Sequence, residues 1–381
     1  MEYTTKKVIS HGVLDPNVCV EIDGRLYRKI ATVRPEDNGR WAKTGEFMRA
    51  PECQRLIEEG LLVPRSRVPV QFDGCDHYEV ERIPFFTHLS QWTSKQFAAV
   101  IENCCRVNMV LESAGSIFRA TDCHYYNVMF RHDQPLYVDF GSFSTTQHNG
   151  VRSHIRMSLR SRSWDEALCP DGKPLEEVIK DVNAFTPLPN PTEWDTYDGR
   201  PGPDTVGEVK PNTNEEKLLS QWIEDANPSS LIDIGGNSGT MARMIAAKGI
   251  NVLSVDVSEI AANQNWMEAR RLKLPITSIC DEFQGLSECH KADMAFGSSV
   301  THHLIRSGLS FEDQAKKWDT IAERFLMVEF IDPSDKCLKE WGSIPGYTKQ
   351  DFLDSLSGKW KIMEVTAPNE PERIWFLFVR K

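Results

Sequence analysis

Residues 231–256 read LIDIGGNSGTMARMIAAKGINVLSVD. Leu231–Ile234 is a compact apolar strand signal, and Gly235-Gly236-Asn237-Ser238-Gly239 is a glycine-rich turn leading into a helix at about Met241–Lys248. Glycines let the chain turn tightly and approach a ligand with no side chain in the way. A second strand, Asn251–Asp256, ends on a carboxylate seventeen residues past Gly239. In doubly wound folds an acid at that place accepts both hydroxyls of a ribose. A G-x-G-x-x-G dinucleotide loop needs glycine where Asn237 stands, and Asp233 at the strand end repels a pyrophosphate. A cationic, phosphate-free nucleoside suits the site better. S-adenosylmethionine (SAM) fits, with its ribose on Asp256 and its charged methionine end near the Asp233 turn. An NAD site, or a tight turn with no ligand, are the other readings.

Regular alternation continues outward. Residues 215–226 set Leu218, Leu219, Trp222 and Ile223 on one helical face, and a further helix runs through Asn263–Leu272. Strand signals follow at Ile276–Ile279, Met294–Phe296, Phe325–Phe330, Lys361–Val365 and Trp375–Val379. Strands alternating with helices predict an α/β, doubly wound, Rossmann-like parallel sheet, with the last two strands as an antiparallel hairpin at one edge. In that topology Asp281 lies near the adenine, or is a solvated loop acid. Ser298, His302 and His303 follow the fourth strand, where polar groups face the transferred group. Adjacent histidines are not expected to share a face, which argues against a two-histidine metal site. One of them is a candidate general base, or both are structural. Glu329 ends the fifth strand, to hold substrate, orient a histidine or serve structure alone.

The chain has 381 residues, enough for two domains. Residues 187–212 hold six prolines and three glycines with no strand or helix period, so they read as an ordered or semi-rigid linker whose Trp194 and Tyr197 suggest that it packs on another part of the structure. The division is then 1–186, 187–212 and 213–381. The first part reads as α+β: strands at Gly24–Ala31, Val68–Phe72, Tyr78–Ile83, Asn127–Phe130 and Leu136–Phe140, and helices at Ala50–Glu59 and 92–114. A turn at Asp133-Gln134 joins the last two strands. The net charge of 44 − 55 = −11 argues against a bulk nucleic-acid partner. No apolar stretch is long enough to span a membrane, and the first residues lack a signal-peptide core. Ten cysteines without a C-x-x-C pair fit reduced thiols in a cytoplasm.

The run LIDIGGNSGTMARMIAAKGINVLSVDVSE, with GSSVTHHLIRSGLSFEDQAKKW, MVEFIDPSDK and the final RIWFLFVRK, resembles class I SAM-dependent methyltransferases. Within them it is most similar to the NoeA-like, nodulation-protein type, through the paired histidines and the carboxylate before a proline. The resemblance implies cofactor contacts at Gly235, Gly239 and Asp256, and an acceptor oxygen or nitrogen on a saccharide or small metabolite. The acceptor is expected between the two halves. Upstream, Asp122, Asn127 and Asp139-Phe140-Gly141 are similar to the catalytic and metal loops of protein-kinase-like folds. There the first Asp takes a hydroxyl proton, and the Asn and second Asp hold magnesium. Lys29 is the matching phosphate-binding lysine, but Asp23-Gly24 before it is a bare turn without the covering glycines. Asp122, Asn127 and Asp139 are therefore expected to hold the acceptor, without phosphoryl transfer. A bifunctional kinase–methyltransferase and a non-catalytic SAM-binding protein are the competing classes.

Overall fold

The computed structural model describes residues 6–10, 19–30, 40–72, 75–145, 150–187, 192, 211, 213–342 and 344–381. The chain forms two compact units, Met1–Pro84 with Ser94–Pro187, and Phe85–Thr93 with Leu188–Lys381. Of the linker, only Pro187, Thr192 and Pro211 are among the described residues; Trp194 and Tyr197 lie outside them. No helix of the described residues is long and apolar enough to cross a membrane.

The first unit opens with β1 (Lys6–Ser10), β2 (Cys19–Ile22) and β3 (Arg25–Ile30), then α1 (Arg40–Arg49) and α2 (Pro51–Glu58), then β4 (Val70–Phe72) and β5 (Cys75–Glu79). The strands pair antiparallel in the order β1-β2-β3-β5-β4. The Asp23-Gly24 turn joins β2 to β3 with both residues at positive φ, 49° and 79°, as a two-residue I′ hairpin requires. Helix α3 (Ser94–Ser113) buries Phe97, Ile101, Cys104, Asn108 and Leu111, one stripe at helical spacing. After it come β6 (Arg119–Ala120), β7 (Val128–Arg131), β8 (Gln134–Tyr137) and β9 (Phe143–Ser144), then α4 (Val151–Ser161) and α5 (Leu175–Phe185). β6 pairs with β9 and β7 with β8. The β7–β8 turn is His132-Asp133, with His132 at a φ of 58°, one residue before the expected place. The strand expected at Tyr78–Ile83 begins at Cys75 and ends at Glu79, and Phe140 lies in a 3-10 turn capped by Asp139.

The second unit contains α6 (Asn214–Ala226), β10 (Ser230–Ile234), α7 (Thr240–Ala246), β11 (Asn251–Asp256), α8 (Glu259–Leu272), β12 (Ile276–Cys280) and β13 (Ala292–Gly297). It continues through α9 (Thr301–Arg306), α10 (Phe311–Ile321), β14 (Ala322–Ile331), α11 (Lys336–Trp341), α12 (Lys349–Ser357), β15 (Trp360–Thr366) and β16 (Arg373–Arg380). Helix α6 starts on a reciprocal capping box between Thr213 and Glu216 and ends on left-handed Asn227. The sheet order is β12-β11-β10-β13-β14-β16-β15; β10 to β14 are mutually parallel, and β16 runs antiparallel between β14 and β15. This is the doubly wound arrangement with a terminal hairpin that the sequence predicts.

Both faces of the sheet are apolar, as a sheet covered by helices on each side requires. Leu231, Val252, Ile276, Met294 and Met327 pack with Trp222 and Ile223 of α6 and Ile245 of α7. Ile232, Leu253, Ile279, Ala295 and Leu326 pack with Trp318 of α10 and Phe352 of α12. Phe85 joins this second cluster, which ties the Phe85–Thr93 segment to the sheet. The chain reverses direction of winding between β10 and β13, so the topological switch point lies at the carboxyl ends of these two strands, with β11 and β12 on one side and β14 on the other.

Candidate active site

The loop after β10 is built by backbone. Gly235 and Gly236 both donate their N–H to the Val255 carbonyl, at 2.9 and 3.1 Å. Asn237, where the glycine pattern breaks, takes a φ of 45°. Asparagine tolerates that left-handed conformation better than most residues, so the turn survives the change. The glycines are required by space. A Cβ on Gly236 falls 2.2 Å from Ser254 Oγ and 2.9 Å from Asp233 Oδ2, and one on Gly239 falls 1.9 Å from Asn265 Oδ1.

Two carboxylates face this loop. Asp256 Oδ2 accepts the Asn237 N–H at 2.8 Å, and its Oδ1 accepts the Ser258 N–H at 2.8 Å, which fixes the carboxylate at the end of β11. Asp233 is buried, and among the described residues nothing donates to its Oδ2. Burial, and secondly the neighbouring Asp256, push its pKa from 3.8 up to about 7. Asn263 Oδ1 and both polar atoms of Asn265 are likewise buried, with no partner among the described residues. Buried polar atoms are nearly always satisfied, so the unpartnered oxygen of Asp233 beside the glycine turn is an acceptor suited to a cationic group. Asp281 follows β12, its backbone N–H bonded to the Asp256 carbonyl at 3.0 Å. Its side chain accepts from the Glu282 N–H and from Gln91.

On the other side of the switch point, Glu329 is almost fully buried, at 1% exposure. Its Oε2 accepts the Ser299 N–H at 2.7 Å, the Ser299 hydroxyl at 2.9 Å and the Ser298 hydroxyl at 3.3 Å, while Arg373 Nη1 reaches its Oε1 at 3.3 Å. Burial raises the pKa of Glu329, and Arg373 and Ser299 oppose that rise. Glu329 thus holds the loop that precedes the histidines, and Ser298 points its hydroxyl to Glu329. Arg373 also approaches Asp335 at 3.4 Å and Glu370 at 3.6 Å.

His302 and His303 open α9, and their ring centroids lie 4.0 Å apart with planes tilted 40°. Contrary to the expectation from adjacency, the two rings meet. Burial, then the positive field of His303, Arg373 and Arg306, lowers the His302 pKa to about 3; burial and Arg306 lower that of His303 to about 4. Both are neutral at physiological pH. A depressed histidine pKa stabilises the fold above the unfolded value of 6.5 and loses that contribution as pH falls below it. Relative to His302→Gln, the wild type is therefore expected to lose melting temperature as pH drops from 6.5 to 4, a window in which Asp233, common to both, acts in the opposite direction. The same pH dependence in the variant contradicts the buried neutral ring.

In the first unit, Asp122, Asn127 and Asp139 do come together. Asn127 Nδ2 donates to the Asp122 carbonyl at 2.7 Å and to Ser142 Oγ at 3.1 Å, and Ser142 Oγ donates to Asp139 Oδ2 at 2.6 Å. Asp139 Oδ1 accepts from the Gly141 N–H and from Arg28 Nη2, each at 3.0 Å. The basic partner is thus Arg28, where the sequence pointed to Lys29; neighbours on a strand project to opposite faces. His124 and His154 both accept backbone N–H groups at Nδ1, from Tyr126 and Cys123, so each neutral ring carries its proton at Nε2. Those nitrogens lie 3.0 and 3.8 Å from Asp122 Oδ1. The carboxylates are engaged by their own chain. Among the described residues no group of three His, Cys, Asp or Glu side chains is arranged around a metal position. Asp139→Asn is expected to cost about 1–3 kcal/mol through the lost Arg28 pair, lowering the melting temperature by several degrees. An unchanged melting temperature contradicts this.

Sequence reasoning did not identify Gln91, Asn265, Ser299, Asp335 or Arg373; only the strand register and helix packing bring them to the site. No family model matches the chain. No curated protein matches it either. Similar solved structures include magnesium protoporphyrin IX methyltransferase (ChlM) from Synechocystis PCC 6803 with bound SAM, 15% identical over 44% of this chain and 80% of that one, with a TM-score of 0.36. The N-methyltransferase NodS from Bradyrhizobium japonicum WM9 is 14% identical over 44% of this chain and 94% of its own, with a TM-score of 0.37. A SAM-dependent methyltransferase from Clostridium acetobutylicum ATCC 824 is 12% identical over 44% and 90%, with a TM-score of 0.39. The architecture of the second unit rests on its own strand order.

Proposed function

We propose that the second unit binds SAM at the carboxyl ends of β10, β11 and β12, and that the protein is a methyltransferase acting on an oxygen or nitrogen of a saccharide or other small metabolite. One observation carries this reading: the Gly235–Gly239 turn is folded against Asp256 while buried Asp233 has an oxygen with no donor among the described residues. Asp256 would take the ribose hydroxyls, Asp233 would face the cationic methionine end, and Asp281 would meet the adenine. When bound, SAM supplies an electrophilic methyl group on a sulfonium centre.

The chain's own groups then align the acceptor. Neutral His302 and His303 accept a hydrogen bond from an acceptor hydroxyl or amine and orient its lone pair. Rings titrating at about 3 and about 4 are weak bases, so they favour an acceptor that sheds its proton readily, such as an amine after attack. Glu329 holds the Ser298-Ser299 loop and so sets where the histidines begin. The net charge of −11 favours a small acceptor over a nucleic acid.

The test is transfer of isotope-labelled methyl groups from SAM into size-fractionated metabolite and saccharide pools. Label in the small-molecule fraction, lost with Asp256→Ala, supports the reading. SAM binding without transfer to any pool overturns the enzymatic reading in favour of a SAM-binding protein. Magnesium-dependent release of ADP from ATP by the wild type, abolished in Asp139→Asn, would instead indicate a bifunctional kinase–methyltransferase.

A further inference from the structure

The Phe85–Thr93 segment belongs to the second unit and brings Gln91 to Asp281. Gln91 sits in a 3-10 turn, Leu89–Gln91, and is buried at 4% exposure. Its Nε2 donates to Asp281 Oδ2 at 2.7 Å. Its Oε1 accepts the His88 N–H at 2.9 Å, and His290 Nε2 lies beside the amide, 3.1 Å from its Nε2 and 3.3 Å from its Oε1.

The direction of this relay follows from one backbone group. The Ser287 N–H donates to His290 Nδ1 at 3.1 Å, so the neutral ring carries its proton on Nε2, with Gln91 Oε1 as the acceptor within reach at 3.3 Å. Burial, first among several influences, holds the His290 pKa below its ordinary value and so favours that neutral form. With Oε1 taking the His88 N–H and a carboxylate able only to accept, the amide orientation is fixed and its N–H points to Asp281. The other oxygen of Asp281 accepts the Glu282 N–H at 2.8 Å, and a Cβ on Gly285 would fall 2.4 Å from it. Asp281 is therefore clamped from both sides, yet it is only partly buried and each carboxylate oxygen can accept a second hydrogen bond. Its backbone is joined to that of Asp256, the ribose candidate, on the adjoining strand. Asp281 is thus the acid at the end of the strand next to the ribose candidate.

We propose that Gln91 is a positioning residue that fixes Asp281 as the acceptor for a purine 6-amino group, so that the site selects adenosine over nucleosides carrying a 6-oxo group. This rests on the SAM reading above. The segment that carries Gln91 is then part of the cofactor site, although it lies more than a hundred residues before the glycine loop.

The experiment is calorimetry with S-adenosylhomocysteine (SAH) and its 6-oxo counterpart, S-inosylhomocysteine, on the full chain. Wild type is expected to prefer SAH by about tenfold or more, since the 6-oxo base presents an acceptor to a carboxylate. Gln91→Glu keeps the acceptor for His88 and His290 but sets a second carboxylate against Asp281. It is expected to lose about tenfold in SAH affinity and to bring the preference to near one. Gln91→Met, of similar volume, is expected to lose the preference with a smaller loss of affinity; melting curves establish that each variant folds. An unchanged preference in either folded variant overturns the proposal and leaves the SAM reading standing. So does a wild type that binds both nucleosides equally. A wild type that binds neither overturns both.

Discussion

Asp256→Ala is expected to weaken binding of SAM by at least about 100-fold. Two charge-assisted hydrogen bonds to a ribose, at about 1.5 kcal/mol or more each, already account for that factor. The variant also removes the acceptor for the Asn237 and Ser258 N–H groups, so the loop that should wrap the ligand loses its anchor. Asp256→Asn keeps one oxygen and is expected to lose less. Calorimetry on each variant, with a melting curve to establish folding, measures the effect. A folded Asp256→Ala with wild-type affinity removes this sheet edge as the cofactor site.

Asp233→Asn is expected to produce opposite effects on binding and stability. In the folded protein Asp233 keeps its proton to about pH 7, whereas its ordinary value is 3.8. Between those values the folded state binds more protons than the unfolded state, so stability declines as pH rises across that window and stays reduced above it. The neutral amide does not carry this cost. At pH 8 the variant is expected to melt several degrees above wild type, and near pH 4 the two should coincide. SAM affinity at pH 8 should fall about tenfold or more, because a buried carboxylate no longer meets the cationic end of the ligand. Wild-type affinity should itself tighten from pH 6 to 8 as Asp233 ionises. Such opposition is expected where a site keeps a strained group for its ligand. A variant that melts lower than wild type at pH 8 and binds SAM normally contradicts the role of Asp233.

The glycine loop and Asp256 were legible because strand, turn, helix and strand follow one another without interruption. Local hydrophobic period and turn chemistry suffice there. Asn237 looked like a departure from the glycine pattern, yet its left-handed backbone preserves the turn. Gln91 was not legible, since its bond to Asp281 spans 190 residues. Nor was Arg373, which the antiparallel register of β14 and β16 places opposite Ile331, two residues past Glu329. Adjacency suggested that His302 and His303 take different faces, yet their rings lie 4.0 Å apart, a side-chain arrangement that sequence spacing does not specify. In the first unit β2 offered only Val20 and Ile22 as buried apolar positions, too few for a periodic signal, and the Asp23-Gly24 turn was the readable part. Asp122, Asn127 and Asp139 were found by spacing, but spacing says nothing of Arg28, His124 and His154, which occupy their carboxylates.

Titration of the intact wild-type protein with SAM at pH 7.5, followed by calorimetry, addresses the cofactor site most directly. One saturable site per chain is expected, with a dissociation constant of about 1–100 μM, within the general range of enzyme–substrate affinities. A folded protein that gives no saturable binding up to about 1 mM SAM contradicts the assignment of Gly235–Gly239, Asp233 and Asp256 as a SAM site.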